Sequence, residues 1–348
     1  MSPMALITSD LHFTHKPEDA YRFGIFDWLF DQAQKHKVES IYILGDITDA
    51  KDKHPASLVN NIVLRFDQLA SSTIHVFILK GNHDYVDADL PYFEFLDKWN
   101  NVHFYKDPVT VGSYGRFSVL MLPHTNNPYY LWASEEIDKA DYVFLHQTVD
   151  GSLASNGHAL PGMPRNYFKR RGFRGSGIFS GDVHVPQVMG DVTYVGSPYH
   201  VHYGDSFVPR VLLLDMDTGE TSNLSFPAPQ RRTINVNDAD EINLASLRAG
   251  DYVKVRVWLD RHELVDWERK KREVVERCKM LGLNLGGLEL KKKDDSEGAS
   301  SKATDRAAAG VEPLLAVSPG QVFDRFAERE KVDPYTTDVG KELLQDED

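Results

Sequence analysis

Five short polar clusters in this chain carry residue types that bind divalent cations, and each follows an apolar run: Asp10-Leu11-His12, Gly45-Asp46, Gly81-Asn82-His83-Asp84, His146 and Gly181-Asp182-Val183-His184. A carboxylate offers two oxygens, an imidazole one neutral nitrogen and the Asn amide one oxygen, so the set suits hard and borderline cations without any thiolate. One such cluster alone reads as a polar turn, because Gly, Asn and Asp suit turn geometry. Five in succession point to one centre. Alternation along a strand sends residues such as Asp10 and His12 to the same side, where both can reach one ion. Two cations about 3.5 to 4 Å apart lower the pKa of a shared water and hold the attacking and leaving oxygens during displacement at phosphorus. The chemistry expected is metal-assisted hydrolysis of a phosphate ester.

The elements that must position these residues follow from periodicity. Strands are expected at 4–9, 40–44 and 74–79, each ending in one of the clusters, which is where open α/β sheets place ligands. Between them, a helix opened by Pro17 carries Ile25, Phe26, Leu29, Phe30 and Ala33 on one face, and a second amphipathic helix covers 58–69. Further strands are expected at 117–122, 141–145 and 210–214, the later ones in a second sheet. This is a layered α/β domain over residues 1–228. Polar, Pro-containing sequence at 227–232 marks a boundary to a small α/β cap at 229–290, with a strand at 252–259, a charged helix at 263–281 and a returning strand at 285–290. Residues 291–317 are poor in apolar side chains and read as a flexible linker. The last segment, 318–348, holds a helix started by Ser318-Pro319 with Val322, Phe323 and Phe326, and a second short helix at 339–344. It is expected to dock on a partner groove, or else to pack back on its own domain.

Composition narrows the class. The 348 residues carry a formal net charge of −13, which argues against a protein that coats nucleic acid but leaves room for an enzyme with a local basic groove. Cys278 is the single cysteine, which excludes internal disulfides and cysteine-rich zinc sites and fits a reducing cytoplasm. No run is long and apolar enough to span a bilayer, and no export signal precedes the first strand, so a cytoplasmic protein is expected.

The set and order of the clusters resemble the calcineurin-like metallophosphoesterases, whose pattern runs Asp-x-His, Gly-Asp-x-x-Asp, Gly-Asn-His-Asp/Glu, His and Gly-His-x-His, over roughly the first two thirds of the chain. The resemblance implies a sandwich of two mixed sheets flanked by helices. It implies a first metal on Asp10, His12, Asp46 and His184, and a second on Asp46, Asn82, His146 and Asp182, with Asp46 bridging. Manganese is the first choice, with magnesium, iron and zinc open, since ligand type alone does not select among them. His83, next to the ligand Asn82, is expected to orient the phosphate or protonate the departing alkoxide. Asp49 and Asp84 match carboxylates that orient ligands by hydrogen bonding. Asp182 departs from the family's histidine and adds negative charge; it is expected either to shift the second metal's preference or to be no ligand at all. For the second site His146 is preferred over His124, read with His15 and His54 as a polar loop residue.

Substrate must come from elsewhere in the chain. Tyr194-Val195-Gly196-Ser197-Pro198 and Tyr203-Gly204-Asp205 resemble the Gly-Ser-Pro loop and following aromatic/acidic element of SbcD-type nucleases, as does the order of core, cap, linker and tail. That resemblance implies a DNA nuclease, a 3′ to 5′ exonuclease with single-strand endonuclease activity in view, that pairs through its C-terminal helices with an SbcC-like ATPase and forms a homodimer. Arg165, Lys169, Arg170, Arg171 and Arg174, interleaved with Tyr167 and Phe168, are expected to meet DNA phosphates together with Ser197, or else to form an exposed basic loop. The competing readings are a phosphodiesterase or phosphatase for a small molecule or phosphoprotein, and a non-enzymatic scaffold.

Overall fold

Apolar runs that end in polar clusters become the inner strands of two six-stranded sheets. The computed structural model describes residues 2–293; the expected tail at 318–348 and the linker from 294 onward lie outside them. Strands β1 (Met4–Thr8), β2 (Ser40–Ile43), β3 (His75–Leu79) and β4 (Val102–Tyr105) run parallel in the first sheet. The next strands are β5 (Val109–Ser113), β6 (Phe117–Leu122) and β7 (Tyr142–His146), followed by a hairpin of β8 (Ser152–Leu153) and β9 (Ala159–Leu160). With β10 (Gly177–Gly181), β11 (Gln187–Met189) and β12 (Val192–Tyr194), the second sheet has the order β11-β12-β10-β7-β6-β5, parallel inside and antiparallel at both edges. β13 (Val211–Asp215) and β14 (Thr221–Leu224) return to the first sheet, where β13 lies antiparallel to β1. The strand expected at 210–214 therefore belongs to the first sheet and not to the second.

Alternation divides each strand between two cores. Ala5, Ile7, Tyr42 and Leu79 face Val119, Met121, Tyr142 and Phe144 across the gap between the sheets. On the outer face of the first sheet, Leu6, Ile41 and Ile43 pack with residues of α1 (Gly24–His36) and α2 (Ala56–Ala70). Leu120, Val143 and Leu145 do the same on the second sheet with Trp132, which ends α3 (Pro128–Leu131), and with α4 (Tyr167–Arg170). Strands covered on both faces have no polar side to show, which is why they read as unbroken apolar runs. Leu58, Ile62, Phe66 and Leu69 recur at helical spacing on α2 and are buried, each such side chain stabilising the fold by roughly 1.5–3 kcal/mol. The helix expected from Pro17 begins as a 3-10 turn, Pro17–Phe23, and only then becomes α1. Three residues per turn place positions i and i+3 above one another, and Asp19 and Arg22 form a buried ion pair at 3.1 Å there.

A third, three-stranded sheet follows, in the order β15 (Arg231–Val236), β16 (Tyr252–Leu259), β17 (Asn284–Lys292), with β15 and β16 parallel. Val253, Val255 and Val257 of β16 are fully buried on one face. Helix α5 (Trp267–Met280) buries Lys270, Val274 and Cys278. The expected helix at 263–281 divides into a 3-10 turn, Arg261–Asp266, and α5. β15 was not expected: its first residues fall in the polar stretch read as a boundary. β17 also runs past the expected start of the linker at 291. By contacts among the described residues, 2–257 with 265–290 form one compact unit, and 258–264 group with 291–293. Within the latter, Lys293 Nζ pairs with Asp260 at 2.8 Å. No described helix is long and apolar enough to cross a membrane.

Candidate metal centre

Each cluster leaves the C-terminal end of a parallel strand, β1, β2 and β3 in one sheet and β7 and β10 in the other, so the layered fold gathers all five at one edge. Asp10, His12, Asp46 and Asp182 all adopt left-handed backbone angles, with φ of 54°, 41°, 57° and 77°. For residues other than glycine this costs on the order of 1–3 kcal/mol each and persists only where surrounding contacts over-determine it. Those contacts are present. The Asp10 and His12 amides donate to the carbonyls of Gly45 (3.1 Å) and Asp46 (3.0 Å). Three side chains then cap three successive carbonyls: Ser197 Oγ that of Asp10 (2.9 Å), Tyr199 that of Leu11, and Arg22 that of His12 (2.5 Å). Asp84, fully buried, accepts from the amides of Asp46 (2.9 Å), Ile47 (2.9 Å) and Gly81 (2.7 Å), tying the second loop to the third. Gly81 lies so close to Asp46 and His146 that a methyl group there would run into both.

The side chains converge as a dinuclear site requires. Asp46 Oδ2 lies 3.5 Å from His12 Nε2 while Oδ1 lies 3.5 Å from His146 Nε2, so one carboxylate faces histidines of two different loops. His12 Nε2 is 3.0 Å from His184 Nε2, and His146 Nε2 is 3.0 Å from Asn82 Oδ1. Asp10 with His12 and His184, and Asp10 with Asp46 and His146, each bring ligand atoms within 4.8 Å of one another. A third such group, His12, Asp49 and His83, was not expected.

These donors fit divalent cations. Asp10 Oδ2 is buried with no hydrogen-bond partner. Around Asn82, the amide oxygen faces both Asp46 oxygens, acceptor against acceptor, a clash that a cation relieves directly. His146 Nδ1 is bonded to the Leu44 carbonyl and His12 Nδ1 points at Asp49 Oδ1, 3.6 Å away, so both rings turn Nε2 inward. Burial lowers His12 to about 3, with His184 and His83 adding to the effect, so the ring is a neutral donor. Burial also raises Asp46 well above the ordinary carboxylate range, and Asp84 and Asp10 raise it further. His146 is pushed down by burial, but Asp46, Asp182 and Asp10 outweigh it and hold the ring up to about 9. Crowded carboxylates that retain protons in this way mark a place for positive charge.

Asp182 stands at the margin. Its Oδ1 is 3.8 Å from His146 Nε2, its other oxygen accepts from Thr148, and its amide donates to Asp10 Oδ1 at 3.2 Å. His83 is set beside the centre: its amide donates to Asp46 Oδ1 (2.8 Å), its Nδ1 bonds the Asp49 carbonyl (2.7 Å), and its ring meets that of His12 edge-on at 4.9 Å. The His12 ring, 3.6 Å away, holds Asp49 down to about 2. His124 bonds Tyr85 at 2.9 Å, its ring 6.0 Å from that of His146. His54 holds Thr48 at 2.7 Å, and His15 is exposed.

Of the residues expected to meet substrate, Ser197 is fully buried and caps the Asp10 carbonyl. Tyr167 and Phe168, at the start of α4, are buried in the core and pack there. Arg171 donates to the carbonyls of Trp132, Ala133 and Glu135, and Arg165 to that of Asp150 (2.9 Å). Lys169, Arg170 and Arg174 are exposed, and among the described residues no hydrogen bond or ion pair joins them to the centre. Arg22, Tyr199 and Thr148 were missed, as was His202, whose ring stacks on that of His184 at 5.7 Å. Asp182, His184 and His202 line one side of a cleft of about 380 Å3, with Ser155, Asn156 and Leu160 of the β8–β9 hairpin among its other walls.

Strand order, loop positions and donor set together define a metal-dependent phosphoesterase. The family model of the calcineurin-like phosphoesterases matches residues 4–186, and the chain belongs to that family. It is 34% identical over 87 residues to the SbcD subunit of nuclease SbcCD from Escherichia coli, a match covering 23% of this chain and 21% of that one. It is 32% identical over 83 residues to the UDP-2,3-diacylglucosamine hydrolase of Cellvibrio japonicus, covering 23% and 33%. The chain thus spans about a fifth of the length of the nuclease subunit (21%) and a third of that of the hydrolase (33%). Among solved structures it is similar to nuclease MPE of Pseudomonas putida, with TM-score 0.31 and 12% identity over 63% of this chain and 87% of the other.

Proposed function

We propose that the chain is a two-metal DNA nuclease of SbcD type. The observation that carries the metal assignment is Asp46, whose two oxygens each lie 3.5 Å from a histidine of a different loop. In this reading Asp10, His12, Asp46 and His184 hold the first ion, and Asp46, Asn82 and His146 the second, with Asp182 at its edge. Manganese remains the first choice. When bound, the pair supplies the charge that activates water and stabilises the phosphoryl oxygens in in-line displacement. The protein does the rest. Asp84 and the three carbonyl caps fix the loops, and the carbonyl of Asp49 fixes the tautomer of His83. His83 then orients the phosphate or returns a proton to the departing alkoxide.

The likeness to the E. coli nuclease subunit supports DNA as substrate. Exposed Lys169, Arg170 and Arg174 would steer the duplex, and the small sheet, residues 229–290 with its helix, would act as a cap beside it. Further parts of the reading are an SbcC-like ATPase docked on the C-terminal segment around 319–326, a homodimer and a cytoplasmic role in DNA repair or recombination. A second reading, a small-molecule phosphodiesterase, is favoured by the likeness to the diacylglucosamine hydrolase. Linear duplex labelled at either end, circular single strands and nucleotide-sugar diesters, assayed side by side with Mn2+, decide between them. Mononucleotide release starting at the 3′ end supports the nuclease; hydrolysis of the small diester alone overturns it.

A further inference from the structure

Of the three side chains that cap the Asp10–His12 loop, Arg22 alone is charged and itself held by a charged group. Its Nη1 donates to the His12 carbonyl at 2.5 Å and its Nη2 to that of Val201 at 3.2 Å, so one guanidinium joins the His12 loop to the segment whose next residue, His202, stacks on His184. Asp19 pairs with Arg22 at 3.1 Å, accepts from Thr14 at 2.6 Å, and pairs again with Arg231, the first residue of β15. Asp19, Arg22 and Arg231 are 2%, 2% and 7% exposed, so this is a buried triad of two cations and one anion. Arg231 lies 5.4 Å from the centroid of the Tyr203 ring and 5.4 Å from that of Tyr252, while its amide donates to His200 Nδ1 at 3.3 Å. It is thus fixed by the small sheet and by the segment after Ser197 at once.

Buried ion pairs add little net stability, because desolvation offsets their attraction. A network of this kind is better explained by what it holds in place. We propose that Asp19 and Arg231 are positioning residues for the first metal: through Arg22 they set the left-handed His12 carbonyl, and with it the His12 and His184 rings, so that cation affinity depends on a contact reaching from the small sheet. The proposal rests on the metal assignment made above.

Removing Arg231 leaves Asp19 and Arg22 as a neutral one-to-one pair, so Arg231→Met is the variant to make first. Mn2+ is titrated calorimetrically into the metal-free full chain. The wild type is expected to bind in two steps, and Arg231→Met to weaken one of them on the order of 10-fold while leaving the other unchanged, the size usual for losing a group that orients a ligand. Lys270→Met removes an equally buried cation from α5 of the same sheet and is expected to leave both steps intact. Where Arg231→Met does not fold, Arg231→Lys is expected to weaken the same step by a smaller factor. Wild-type affinities in a folded Arg231 variant, or an equal loss in Lys270→Met, overturn the proposal. A wild-type chain that takes up no pair of ions overturns the metal assignment itself, a different result.

Discussion

His83 is held by two contacts that leave its Nε2 uncommitted: its amide on Asp46 and its Nδ1 on the Asp49 carbonyl. His83→Ala is therefore expected to lower phosphodiester hydrolysis by about 100- to 10,000-fold while two ions still bind, the range for loss of a general acid. Unaltered turnover, or lost metal, would remove that role. His146 leads to a pH effect. Because neighbouring carboxylates hold it up to about 9, the metal-free ring is protonated at neutral pH, and a cation must displace that proton. Affinity should then rise with pH up to about 9, with proton uptake by the buffer seen when calorimetry is repeated in buffers of different ionisation enthalpy; His146→Ala should reduce that proton release, leaving the part that comes from Asp46. The ligands were legible because their types are rare together and each ends an apolar run. Ser197 and Arg22 were not, because a serine or arginine donating to a carbonyl leaves no pattern along the chain.

At the scale of elements, the parallel strands were readable and their partners were not. Runs such as that of β2 announce burial on both faces, but the return of β13 to lie beside β1 is a pairing across some 200 residues that no local period encodes. β15 was hidden by the polar residues at its start, of which Arg231 serves the Asp19 triad and the Tyr203 and Tyr252 rings. The basic segment shows the converse error. Five cations in sequence looked like one surface, yet Arg165 and Arg171 are occupied by backbone carbonyls, leaving Lys169, Arg170 and Arg174. Neutralising these three should weaken DNA binding at low salt and reduce the slope of log affinity against log salt by about one for each phosphate that they no longer neutralise. An unchanged slope would show that α4 faces no DNA.

Over the whole molecule, two sheets with a shared core carry tyrosines into the interior. Burial raises Tyr105 to about 12 and pushes Tyr42, Tyr194 and Tyr199 higher still, against about 10 in an unfolded chain. A group whose folded pKa is raised contributes stability that is complete below its unfolded pKa and lost as pH rises through the folded one. Stability measured by denaturant titration should thus hold up to pH about 10 and fall between about 10 and 12, with ultraviolet absorbance gaining the phenolate signal of these four tyrosines only as the fold opens. The central claim concerns the edge where five strand ends meet. Equilibrium dialysis of the metal-free chain against Mn2+ tests it most directly: the account predicts two ions per chain, and none retained tightly once Asp46→Ala removes the shared carboxylate. A single ion in the wild type, or two undiminished ions in Asp46→Ala, would contradict it.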